Sequence, residues 1–214
     1  MENELGLFQI IKTKFIEGNP YFMGVLALLL VIGLAFCVER IIYIYLSRIN
    51  AKKLLADIDA LLQQGDVEGA KRLAQNTRGP VASLCYQALM RINEDGETID
   101  KAITAYGSVQ VGLLEKNLSW ITLFIAVAPG LGFLGTVMGM IESFDEIQAF
   151  GDINPSIVAG GMKFALITTV GGLIVAVILQ FFYNFILTRI EKLTGEMEDS
   201  AITLTDMILQ YKRR

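Results

Sequence analysis

Three long apolar blocks constrain this chain more than any other feature in it. Tyr21–Val38 carries no charge and runs through Glu39-Arg40 into a further apolar stretch, Ile41–Leu46. Asn117–Ile141 and Phe164–Leu187 carry no charge at all. A helix rises ~1.5 Å per residue, so either of the last two blocks crosses a hydrocarbon core of ~30 Å with room to tilt. The first block lacks the short core and small-residue cleavage site of a signal peptide, and reads as an uncleaved anchor helix. Tyr43 and Tyr45 then sit at the interface and Arg40 snorkels toward the headgroups. The fold class that follows is an all-α membrane protein with three transmembrane helices and long cytoplasmic helical extensions. Composition agrees: 53% of the residues are hydrophobic and 19% charged, too little polar surface to cover a soluble core.

Several functions are disfavoured by what is missing. There is no histidine, which removes the commonest metal ligand and general base, so neither an enzyme nor a metal or other cofactor is expected. A net charge of −4, thinly spread, points away from nucleic acid. The two cysteines, Cys37 and Cys85, are expected to be buried, unpaired thiols.

Lys and Arg set the expected orientation. They crowd the segment between the first two spans (Arg48, Lys52, Lys53, Lys71, Arg72, Arg78, Arg91, Lys101, Lys116) and the tail (Arg189, Lys192, Lys212, Arg213, Arg214), and are absent from the turn before Lys163. The positive-inside rule then puts the N-terminus outside and the tail in the cytoplasm. The expected organisation is an outer-surface amphipathic segment over residues 1–20, with Leu7, Phe8, Ile11 and Phe15 on one face. Spans follow at 21–46, 117–144 and 158–188. A cytoplasmic helical region occupies 47–116, a short periplasmic turn with Gly151-Asp152 and Asn154-Pro155 occupies 145–157, and a cytoplasmic C-terminal helix occupies 189–214. Within the middle region, Gly65 stops one helix, Asp66 caps the next, and Gly79-Pro80 precedes a helix with Val81, Leu84, Cys85, Ala88, Leu89 and Ile92 at helical spacing. A last helix from about Glu97 is expected to run unbroken into the second span.

Inside lipid, ionisable side chains mark function by default, and the interiors of the second and third spans, Asn117–Ile141 and Phe164–Leu187, have none. They carry small residues and hydroxyls instead. Ala128, Gly132, Gly135/Thr136, Gly139 and Ser143 fall on one helical stripe; Gly161, Ala165, Thr168/Thr169, Gly172 and Ala176 fall on another, with Gln180 and Asn184 lower down. Gly132, Gly135, Gly139, Gly172 and Ala176 read as close helix packing. Thr136 and Thr169, with Thr168 beside them, are the candidate ion-pathway residues. Hydroxyls cannot store a proton or a charge, so a carboxylate that does must come from another polypeptide. The small-residue stripes need more neighbours than one chain offers, which implies a homo-oligomer.

The chain resembles the MotA/TolQ/ExbB proton-channel family, in its ExbB/TolQ branch. Gly65-Asp66 through Ala74 and Gly79-Pro80-Val81-Ala82 resemble the family's cytoplasmic pattern. Ala128–Ile141 resembles its most characteristic run, Ala165–Leu173 its third-helix motif, and Glu39-Arg40 the pair ending the first helix. The resemblance implies a pentameric ring around a dimer of an ExbD/TolR-type partner whose single span bears an aspartate, faced by Thr136 and Thr169. It implies residence in a bacterial inner membrane and coupling of proton-motive force to a TonB- or TolA-type transducer. An ExbB-like role in TonB-dependent transport is the first expectation; TolQ-like envelope maintenance and a structural scaffold are the alternatives. Two positions depart from the pattern: Phe164, beside Lys163, stands where many members are acidic, and Ile178 where many have proline.

Overall fold

The computed structural model of the chain describes residues 6–151 and 155–213, apart from the side chains at positions 7, 8, 10, 11, 150, 155 and 157. The described residues form helices only: α1 (Leu7–Glu17), α2 (Pro20–Ser47), α3 (Ala51–Gln63), α4 (Val67–Asn76), α5 (Pro80–Met90), α6 (Gly96–Leu114), α7 (Leu118–Phe150) and α8 (Pro155–Lys212). Three of them, α2, α7 and α8, are long and apolar enough to cross a membrane. This is an all-α membrane protein. Of the residues expected on one face of α1, Leu7, Phe8 and Ile11 have side chains outside the described set, and residues 152–154 of the turn lie outside the described residues.

The helices fall into two units, Met1–Val38 with Asn117–Asn184, and Glu39–Lys116 with Phe185–Arg214. In the first, α2, α7 and α8 meet through small residues and aromatic rings. Phe36 of α2 lies against Trp120 and Phe124 of α7, with ring centroids 6.5 and 6.1 Å apart. Gly33 accepts Leu179 of α8 so closely that a methyl there would come within 2.7 Å of it. Between apolar helices in lipid there is no water to expel, so close van der Waals packing of this kind holds them together.

The second unit is built on short capped helices. Asn50 accepts from the Lys53 amide at 3.1 Å, Asp66 from Gly69 at 2.8 Å and Asp95 from Thr98 at 3.2 Å, each satisfying an orphan donor of a first turn. The period read in α5 is its buried face: Val81, Leu84, Cys85, Ala88, Leu89 and, just past its end, Ile92 are all at most 4% exposed. Gly79 adopts φ 112°, and its missing side chain lets the backbone pass Ser47 O, where a methyl would stand 2.6 Å away. Arg40 is buried at 3% exposure. Its guanidinium donates to Leu113 O at 3.1 Å, in the last turn of α6, and also pairs with Glu39. A cation there complements the negative end of the helix.

One expectation needs correcting. The helix from about Glu97 does not run unbroken into the second span: α6 ends at Leu114 and α7 begins at Leu118. The break is at Asn117, in the left-handed region at φ 67°, a conformation Asn tolerates better than other residues with a side chain. The third span, by contrast, continues as one helix of 58 residues to Lys212.

Both cysteines are free and buried. Burial pushes the Cys85 thiol up to about 12, so it stays protonated and unreactive at neutral pH.

Candidate ion-pathway site

The seam between α7 and α8 is lined by the small residues. On α7, Ala128, Gly132, Gly135, Gly139 and Ser143 are buried; on α8, Ala165, Thr168, Gly172 and Ala176 are buried. The two backbones nearly touch. A methyl at Gly132 would lie 2.9 Å from Thr168 O, and one at Gly172 would run into Ala128 O and stand 3.1 Å from the Gly132 Cα. Toward the turn between α7 and α8, the Phe164 ring covers Gly139 and the Ser143 hydroxyl leaves no room for a side chain at Gly161.

Three threonines meet at the middle of this seam, in two different settings. Thr168 is wholly buried, and its hydroxyl donates to Ala165 O at 2.8 Å on its own helix. Thr136 and Thr169 are half-buried and face each other, their hydroxyls in direct contact. Thr136 Oγ1 also lies 3.0 Å from Ala165 O and 3.3 Å from Gly132 O, and Thr169 Oγ1 lies 3.3 Å from Gly132 O. Each hydroxyl has one hydrogen and two lone pairs. Two hydrogens thus serve two carbonyls and each other, so small rotations re-route the bonds without leaving a buried group unpaired. The pair can hand a hydrogen bond to a third group but cannot hold a charge. Gln180 lies 11 residues beyond Thr169, about 20° around the same helix face, and donates to Asn184 Oδ1 at 3.1 Å. Amides exposed on an apolar span extend the polar stripe below the threonines.

One charged contact at the seam's end was not foreseen. Glu17, the last residue of α1, accepts from Lys163 of α8 at 2.6 Å and from Lys14 at 2.8 Å. Hydrogen bonds from Lys14 and then Lys163 hold its carboxyl below the usual carboxylate range. Because the folded value is lowered, this contact contributes fully above the ordinary carboxylate range and is lost only as pH falls through the lowered value. In an NMR titration of the purified protein, Glu17 should titrate below free glutamate, and Lys163→Met should move its midpoint up. An unmoved midpoint in that variant would mean the two side chains do not meet in solution.

Among the described residues, no cluster of His, Cys, Asp or Glu could hold a metal ion. The sequence model of the MotA/TolQ/ExbB proton channel family matches residues 76–199. A putative biopolymer transport protein ExbB homolog of Methanothermobacter thermautotrophicus is 28% identical over 167 residues, covering 78% of this chain and 59% of that protein. The chain therefore spans less than two thirds of that relative's length. The putative ExbB-like 3 protein of Synechocystis is 26% identical over 78% of this chain and 84% of its own length. The biopolymer transport protein ExbB of Neisseria meningitidis is 26% identical over 94% and 98%.

Proposed function

The chain belongs to the MotA/TolQ/ExbB proton channel family, and we propose that it is an ExbB-like channel subunit that couples proton-motive force to TonB-dependent outer-membrane transport. In this reading it acts with a single-span partner of the ExbD type and passes the resulting motion to a transducer of the TonB type. One observation carries the reading. A pair of re-orientable hydroxyls, Thr136 and Thr169, occupies an apolar seam that holds no ionisable residue of its own. Such a pair serves a carboxylate brought by another polypeptide, donating to it when charged and accepting from it when protonated.

The subunits form a homo-oligomeric ring, pentameric in this reading, in the inner membrane. Lipid-sized faces left over by the chain's own packing, with Phe133 65% and Leu166 62% exposed, supply surface for neighbours and for lipid. Thr168, spent on its own helix, belongs to the packing on this reading and stands beside the pathway rather than in it. The N-terminus is periplasmic and the C-terminus cytoplasmic. Single cysteines at Asn154 and Lys212 test this in spheroplasts, against a background of unreactive Cys85; an impermeant reagent reaching only Lys212 would reverse the topology.

The central test is proton flux. Liposomes holding this chain with a single-span partner of the ExbD type should take up protons under a gradient, and liposomes holding either protein alone should not. Flux that persists when the partner's membrane aspartate is changed to asparagine would remove the shared site. A TolQ-like role makes the same flux prediction and differs in the transducer that restores it.

A further inference from the structure

A cavity of about 320 Å³ in the second unit lies where α2 ends and α5 begins, lined by Tyr43, Leu46 and Ser47 on one side and Arg78, Gly79, Pro80, Ser83, Gln110 and Leu114 on the other. Its α2 wall belongs to the membrane boundary. Ile42, Tyr45 and Leu46 are 53%, 75% and 63% exposed, an apolar surface that continues the first span beyond Arg40 and needs lipid or an interface against it. The opposite wall is cationic. Arg78 makes no ion pair among the described residues, and no carboxylate lines the cavity. The hydrogens of Ser47 and Ser83 are committed to Tyr43 O (2.8 Å) and Gly79 O (3.2 Å), which leaves the exposed Arg78, Gln110 and the Tyr43 hydroxyl as the remaining side-chain donors among the lining residues. The first turn of α5 borders it too, without a capping side chain, so its positive end is uncompensated.

Donors and a lone cation with no acceptor of charge call for an anion; an apolar wall beside them calls for acyl chain. We propose that this cavity holds the headgroup phosphate of an anionic phospholipid, with Arg78 as its charge partner and Tyr43 and Leu46 against the glycerol and upper acyl carbons. A zwitterionic headgroup fits less well, because its ammonium would find no carboxylate here.

The test uses the full-length protein in nanodiscs of equal phosphatidylglycerol and phosphatidylcholine, with retained lipids counted by native mass spectrometry. The wild type should retain phosphatidylglycerol selectively. Arg78→Gln should cut that retention about fivefold, the effect of one basic residue at a membrane surface. Arg72→Gln, exposed on α4 away from the cavity, should leave it unchanged. The same spectra report the oligomer mass, so lipid loss is separated from disassembly. Equal retention of both lipids by the wild type, or full retention by Arg78→Gln, overturns the site. Displacement of the lipid from the wild type by millimolar inorganic phosphate would show a free-anion site and overturn the lipid assignment as well.

Discussion

Gly172→Leu is expected to abolish the α7–α8 seam and with it the assembled protein. A methyl at this position already runs into Ala128 O and comes within 3.1 Å of the Gly132 Cα, so the obstruction is the main chain of α7. Side chains can rotate away from an intruder; helical backbone moves only by parting the helices. Overpacking a core costs about 1–3 kcal/mol when neighbours can yield, and here they cannot, so the loss lies at or above the top of that range. For a chain of this size that corresponds to a fall in thermal midpoint of roughly 10 °C. The parting would also separate Thr136 from Thr169. Gly195, on the same helix, has nothing within 4 Å, and Gly195→Ala should be neutral or slightly stabilising because Gly is a poor helix former. Thermal unfolding in detergent and the oligomer mass of the extracted protein measure both. A Gly172→Leu protein that melted and assembled like the wild type would mean that the helices do not approach here as closely as the seam requires.

The parts of the fold legible in the sequence are those with a local cause. Three uncharged blocks predict three helices that can span, because nothing but lipid tolerates them. The buried face of α5 is legible because its apolar residues recur every three to four positions. The cap at Asp66 follows from an acidic residue ahead of a helical run. What stayed hidden depends on geometry between distant residues or on weak local signals. The break at Asn117 lies in Glu-Lys-Asn, with no Gly or Pro to announce it. A helix over 189–214 is itself an expectation from the sequence; what the pattern does not mark is that it and the third span are a single helix, joined through Arg189 and Lys192, both good helix formers. Glu17 and Lys163 are 146 residues apart, and neither has a neighbour that hints at the other. At the candidate site, periodicity puts Thr168 and Thr169 on one broad stripe. Only the folded structure shows one hydroxyl committed to its own helix and the other turned across the seam.

That difference decides what substitution should do. Thr136→Val with Thr169→Val keeps the shape of both side chains and deletes both hydroxyls, and it is expected to stop proton-driven work while leaving the oligomer intact. Each hydroxyl contributes a hydrogen bond to the α7–α8 contact, a net loss of about 1 kcal/mol apiece, too little to dismantle a seam held by main-chain packing. The functional loss is larger because it falls on one protonation state. A partner carboxyl in an apolar pore is driven toward its neutral form, and hydroxyl donors are what favour the charged form. Losing one such bond raises its pKa by ~1 unit, about 1.4 kcal/mol, and losing two slows release of the proton roughly a hundredfold. Thr168→Val is the discriminating control: its hydroxyl is buried and donates to Ala165 O, so its loss should lower the thermal midpoint slightly and leave flux near normal. The readouts are proton flux in liposomes with the single-span partner, energised uptake in cells, and oligomer mass. Normal flux in the double variant would make Thr136 and Thr169 packing groups. Flux lost equally in Thr168→Val would show that any weakening of the seam blocks conduction, and that the paired hydroxyls have no separate role.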